Sequence, residues 1–186
     1  MTTSNVQQDL AYVREAVERQ DQGRELPFPV AAIVSAFILV GFTWLDIAPE
    51  TGGIFLLVAG PLAFLAVWWV ARRSSIRLGV ASEAGSRKHF LHWGSGFMAV
   101  ASFLVIAFLG GMSGQLLGQS ILIGFGLSHF LGGVHFGSKT FFFTGIAAIV
   151  GAPALTYFET GGWTVLGVLL AAALLIGSRA RVSQNG

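Results

Sequence analysis

The chain has 186 residues, of which 54% are hydrophobic and 11% are charged, and its formal net charge is +2. Soluble domains carry about a quarter of their residues as Asp, Glu, Lys and Arg, so this composition excludes a soluble globular enzyme, a disordered tail and a nucleic-acid-binding protein. The absence of cysteine also excludes a disulfide framework, a thiolate metal site and covalently attached haem. The composition therefore predicts an integral membrane protein that contacts the lipid bilayer.

Residues 1–25 precede the first apolar stretch, and they predict a short amphipathic helix. Apolar residues recur there at spacings of four and three, which places them along one helical face: Val6, Leu10, Val13 and Val17. The segment holds five acidic and three basic side chains, whereas helices that bind anionic lipid are richer in Lys and Arg. We expect this helix either to dock on the cytoplasmic face of the bundle or to engage a cytoplasmic protein.

Charge-free windows predict six membrane-spanning helices, each of about the 20 residues that cross ~30 Å of hydrocarbon. The charge-free stretch between Lys88 and Lys139 would form a single helix of roughly 75 Å, so it must turn. The glycine-rich residues 110–115 are the expected turn. The predicted spans are residues 26–45, 51–71, 90–109, 116–136, 140–158 and 162–178, which pair as three hairpins before a tail at 179–186.

Lys and Arg predict the orientation of these spans, because cytoplasmic loops of membrane proteins carry an excess of both. All eleven cationic residues fall on one side of the predicted topology, and the opposite loops hold only Asp46, Glu50 and Glu159. We therefore predict an all-α bundle of six helices over residues 26–178, with both termini in the cytoplasm. The first span is too long for a signal-peptide core, so we expect it to stay in the mature protein.

Two patterns concern the packing of the helices. The sequence ETGG at residues 50–53 recurs at residues 159–162, which indicates either a repeated unit or a chance match of glycine-rich turns. Small residues occupy every fourth position of the fourth span, where another backbone can approach closely: Ser120, Gly124, Ser128 and Gly132. We expect this stripe to pack within the bundle or at a homodimer seam.

The spans offer little reactive chemistry. No Asp, Glu, Lys or Arg lies inside a predicted span, and proton relays, ion-coupled carriers and voltage sensors use such groups. The chain has no nucleophile elbow, zincin motif or phosphate-binding loop. We therefore predict that the protein is not an enzyme.

The four histidines lie on the predicted cytoplasmic half of the third and fourth spans, and three interpretations are open. His89, His92 and His135 could hold a metal ion that faces the cytoplasm. Alternatively, histidines on facing helices, drawn from His92, His129 and His135, could ligate the iron of a haem b. The third interpretation is that these side chains anchor helix ends at the membrane interface, together with Trp93.

The chain combines the N-terminal segment DLAYVREAVE (residues 9–18), three predicted hairpins and a basic central loop. In this order it resembles a class of small bacterial six-pass membrane proteins without an assigned function. The resemblance covers the whole topology and carries over no functional residue. It implies a location in the bacterial inner (cytoplasmic) membrane.

These observations favour a non-enzymatic accessory, assembly or sensory subunit. Such a subunit would engage a membrane or cytoplasmic protein through its acidic N-terminal helix and its basic loop at residues 72–89. One alternative is a haem- or metal-binding protein that uses the histidines. A second alternative is a facilitator for an uncharged small solute, for which glycine-rich helices leave room.

Overall fold

The structure is a computed structural model that describes residues 3–24, 26–77, 79, 83–158 and 160–179. These ranges contain seven α-helices and no β-strand, which confirms the predicted all-α class: α1 Thr3–Arg24, α2 Phe28–Ile47, α3 Pro49–Arg77, α4 Glu83–Leu109, α5 Gly114–Phe136, α6 Lys139–Ala154 and α7 Gly162–Arg179. A short 3-10 turn, Leu155–Tyr157, follows α6. Residues 180–186 of the predicted tail lie outside the described residues, as does Glu159 of the repeated ETGG sequence.

Six helices are long and apolar enough to cross a membrane, as the charge-free windows predict: Phe28–Ile47, Pro49–Arg77, Arg87–Leu109, Gly114–Phe136, Lys139–Tyr157 and Gly162–Arg179. The protein is therefore a multi-pass membrane protein. Some helices are longer than the predicted spans, because charged residues outside the hydrocarbon can continue the backbone hydrogen bonding of a helix. At the end of α3 the guanidinium carbon of Arg73 lies 4.1 Å from the ring centre of Trp69, an arrangement typical of a membrane interface.

Serine and glycine define the turns on either side of α5. The hydroxyl of Ser113 accepts from the N–H of Leu116 (3.5 Å) at the start of α5, and Ser138 accepts from the N–H of Phe141 (3.3 Å) at the start of α6. Such caps satisfy N–H groups that have no partner within the helix. Gly111 has a φ of +66°, a left-handed conformation that glycine adopts without strain. The predicted turn at residues 110–115 is thus where the chain reverses.

The spanning helices pack in the order α3, α2, α7, α6, α5, α4, and each contacts the next. The two ends of this row meet through aromatic rings. The ring centre of Phe64 on α3 lies 4.5 Å from that of Phe97 and 6.0 Å from that of Trp93, both on α4. The row therefore curves into a ring of helices that surrounds a central space.

Glycines bring α5 and α6 into backbone contact. A Cβ atom at Gly133 would collide with the backbone of Phe142, and one at Gly145 would collide with the backbone of Phe130. This is the close approach that small residues allow between membrane helices. Next to it lies a buried apolar core formed by Ala148, Leu155, Leu166 and Leu170.

Polar side chains join α2 to α7. The carboxylate of Asp46 at the end of α2 accepts from the N–H of Trp163 (3.3 Å), the N–H of Thr164 (2.7 Å) and the hydroxyl of Thr164 (2.6 Å). An anion at a helix N-terminus is stabilised by the free N–H groups and the helix dipole. Asp46 was expected only as a loop charge, but it caps α7 from another helix. Deeper in the protein, the buried Ser35 hydroxyl donates to the carbonyl of Ala171 (3.3 Å).

Helix α1 leaves its predicted apolar stripe uncovered. About half or more of each side chain is exposed: Val6 49%, Leu10 63%, Val13 56% and Val17 50%. α1 is not among the helices that pack extensively against one another in the described part of the chain. Of the two expectations for this segment, docking on the bundle is therefore not what the structure shows.

Candidate functional site

A cavity of about 1790 Å³ lies between the helices and is partly open to the outside of the bundle, and all six spanning helices contribute to its wall. Asp46 and Trp163 line it at one end of the bundle, and Arg72 and His135 line it at the other. The cavity therefore extends along the depth of the bundle. Its volume exceeds the roughly 300–1,000 Å³ of typical small-molecule sites, so it has room for an elongated molecule.

Aromatic rings form the wall of the cavity beside α3, α4 and α5. Phe97 contacts both Phe64 (4.5 Å) and Phe125 (5.7 Å) between ring centres. Trp93 contacts Phe141 of α6 at 5.2 Å, and all five rings line the cavity. Such a wall favours an apolar or aromatic occupant.

Three of the histidines gather around Phe136 at one end of α4 and α5. The ring of His89 stacks on Phe136 with centres 3.7 Å apart, and the rings of His92 and His135 lie 5.5 Å apart. The structure thus brings the predicted metal-binding residues to one place. Within the described ranges, however, no group of three or more His, Asp or Glu side chains has the spacing that a metal ion requires.

His92 is held by the neighbouring helix. Its Nε2 lies 2.9 Å from the carbonyl oxygen of Ser128, and because a carbonyl only accepts, Nε2 is the donor. His92 is absent from the cavity wall. This hydrogen bond joins α4 to α5.

The predicted small-residue stripe of α5 faces α4. A Cβ atom at Gly132 would lie 3.1 Å from Nε2 of His92, and one at Gly124 would lie 3.1 Å from Val100. Ser128 lies beside Gly96, where an added Cβ atom would come within 2.6 Å of the serine hydroxyl. These three positions contact a helix of the same chain. Ser120 is partly buried.

His129 differs from the other histidines in its surroundings. Its Nδ1 lies 2.9 Å from the carbonyl oxygen of Phe125, so Nδ1 carries the hydrogen. A neutral imidazole in this tautomer has a lone pair on Nε2, and Nε2 has no hydrogen-bond partner among the residues that the structure describes. Trp93 and Phe141 flank the ring with centres 5.0 and 5.7 Å away, and His129 lines the cavity.

Two features of this region escape sequence analysis. Gln119 is buried on α5, and its side-chain amide donates to the carbonyl of Ala152 (3.1 Å), next to Pro153 on α6. The one sequence feature that could have identified Gln119 is its polar amide within an apolar span. Phe64 carried no signal at all, since its contact with α4 depends on how distant helices pack.

No family model, no curated protein and no solved structure matches the chain. A helical bundle does not imply one activity, so any function of this protein depends on its particular sites. Two features stand out, the uncovered stripe of α1 and the cavity with His129. The haem and metal interpretations of the histidines stay predictions.

Proposed function

We propose that this protein is a non-enzymatic subunit of the bacterial inner membrane that assembles through α1, with three hairpins and both termini in the cytoplasm. The distribution of Lys and Arg supports this orientation. Support also comes from Arg179 at the end of α7, whose guanidinium carbon lies 5.0 Å from the ring centre of Phe28 at the start of α2. That contact supports the proposal that the segment before α2 and the segment after α7 lie on the same side of the membrane.

The observation that carries the proposal is the exposed stripe of α1. Its residues follow the spacing 4-3-4, which is the 3.5-residue repeat of a coiled-coil seam. In heptad terms Leu10 and Val17 occupy positions a, and Val6 and Val13 occupy positions d. Because apolar residues at a and d positions become buried when a second helix packs against them, the partner that fits α1 is another amphipathic helix.

A second copy of this chain supplies such a helix. Asp9 and Arg14 flank the seam at positions g and e, five residues apart. In a parallel pair, Asp9 of each copy faces Arg14 of the partner subunit, so the charges are complementary in both directions. Two copies in one membrane have α1 tethered at the same end, which imposes the parallel arrangement. A seam this short is marginal in water, but tethering raises the effective concentration.

Cysteine cross-linking tests the proposal, because the natural chain has no cysteine. We expect Val13→Cys in the seam to form a covalent dimer on mild oxidation in native membranes. The matched control, Gln8→Cys, lies on the opposite face of α1 and should remain largely monomeric. Equal cross-linking of the two variants, or none with Val13→Cys, would overturn self-assembly through this seam.

Charge reversal provides a second, independent measurement. Asp9→Arg places like charges across the seam and should reduce the cross-linked fraction of the Val13→Cys background severalfold. Adding Arg14→Asp restores the opposite pairing and should restore the cross-link. An unchanged yield throughout this series would show that identical copies do not meet in the proposed register.

A further inference from the structure

His129 lines the cavity between aromatic rings, and its Nε2 lone pair has no hydrogen-bond partner among the described residues. We propose that the cavity binds an amphipathic lipid with a flat, hydroxyl-bearing aromatic head, of the hydroquinone class. The hydroxyl donates to Nε2 of His129, and the apolar tail lies along the cavity. This inference does not depend on self-assembly through α1, although it would provide a sensory subunit with its signal.

The size and position of the cavity favour a lipid. About 1790 Å³ of space is more than a small polar solute fills, and the wall carries apolar side chains from all six spanning helices. A long apolar chain supplied by the bilayer would make dispersion contacts with the apolar part of this wall.

His129 determines which head group is accepted. Its Nδ1–H is committed to the carbonyl of Phe125 at 2.9 Å, so Nε2 can accept a hydrogen bond but cannot donate one. A hydroquinone presents a hydroxyl donor, whereas the corresponding quinone presents only carbonyl acceptors. The site therefore distinguishes the reduced from the oxidised form, because a quinone oxygen would face the lone pair of Nε2 without a hydrogen between them.

The rings around His129 fit a flat head. Trp93 and Phe141 stand nearly perpendicular to the imidazole, at interplanar angles of 71° and 80°, and Phe97 and Phe125 continue the wall. Edge-to-face and offset contacts with such rings stabilise an aromatic guest. Thr144 also lines the cavity, and its hydroxyl donates to the carbonyl of Thr140 (2.7 Å), so its hydrogen is not available to a quinone oxygen.

Calorimetric titration of the full-length protein in nanodiscs tests the inference. The probes are a short-tailed ubiquinol, kept reduced under anaerobic conditions, and the matching ubiquinone. We expect the reduced probe to bind at least tenfold more tightly than the oxidised probe. Equal affinities or a preference for the quinone would overturn the proposal. The absence of binding by both probes would also overturn it, as expected if the cavity holds only phospholipid.

Substitution of His129 assigns the effect to one side chain. His129→Leu should weaken binding of the reduced probe about tenfold and remove the preference between the two forms. The control His92→Gln changes a histidine that is absent from the cavity wall. It keeps a side-chain N–H for the carbonyl of Ser128 and should leave the preference unchanged. If His129→Leu does not fold, His129→Gln keeps an acceptor oxygen and should retain part of the preference. A preference that survives His129→Leu would refute the role of His129.

Visible absorption of the purified protein separates this proposal from haem binding. Hydroquinone binding predicts no Soret band in the protein as isolated or after reduction. A Soret band that sharpens on reduction and disappears in His129→Leu would assign the Nε2 lone pair to haem iron instead. That outcome would overturn the hydroquinone assignment.

Discussion

One half of the helix ring is close-packed and the other half is open. Buried residues make up 39% of the spanning window of α6 and 44% of that of α7, but 0% for α3 and 6% for α4. Glycines let α5 and α6 meet backbone to backbone at Gly133 and Gly145, whereas α3 meets α4 through the ring of Phe64 against those of Phe97 and Trp93. In lipid, helix association depends on packing, so small residues produce a rigid scaffold and bulky rings leave the space that becomes the cavity.

The largest difference in stability between the two halves is expected when a glycine is replaced. Gly133→Leu should cost about 3 kcal/mol or more and prevent α5 from pairing with α6, because the added side chain meets the backbone of Phe142. The matched variant Gly94→Leu on α4 has open space around it, with no atom within 4 Å of an added Cβ atom. We expect it to fold. Thermal unfolding in detergent, together with the yield of monodisperse protein, measures both; equal losses would contradict a division into two halves.

A phenylalanine pair probes the same division with identical chemistry. Phe42 on α2 packs against the buried core and Trp163, so Phe42→Ala should lower the free energy of unfolding by about 3 kcal/mol. Phe64→Ala removes a ring that packs against the rings of Phe97 and Trp93 in the open half, and its cost should be smaller than that of Phe42→Ala. Denaturant unfolding in mixed micelles provides the comparison. A larger loss for Phe64→Ala would show that the α3–α4 contact is the stronger one.

The smallest of these effects concerns the cap at the edge of the close-packed half. Asp46→Ala removes the acceptor for the N-terminal N–H groups of α7 and should cost about 1–2 kcal/mol. Glu50→Ala provides the control, because Glu50 lies nearby in sequence but is exposed, and its effect should be clearly smaller. Hydrogen exchange of the first turn of α7 reads out the local change: faster exchange is expected with Asp46→Ala alone. Similar exchange in both variants would refute the capping role.

Many residues of the candidate site could be identified from the sequence, but the hydrogen-bonding role of each could not. The four histidines and the small-residue stripe were identifiable from spacing alone. Their roles were not, because His92 and His129 lie on different helices and each donates a ring N–H to a backbone carbonyl of α5. Only the packed structure reveals that His129 keeps an acceptor inside the cavity while His92 links α4 to α5.

The sequence by itself determined the helical class, the six spans and the turn between α4 and α5. Hydrocarbon thickness sets the length of each span, and the cost of burying charge places Lys, Arg, Asp and Glu outside the spans. Tertiary structure alone decided the order α3, α2, α7, α6, α5, α4, the cap that Asp46 provides for α7, and the cavity. The physical reason is that lipid and protein interior are both apolar, so the hydrophobic pattern of a membrane helix does not distinguish the face that packs from the face that meets lipid.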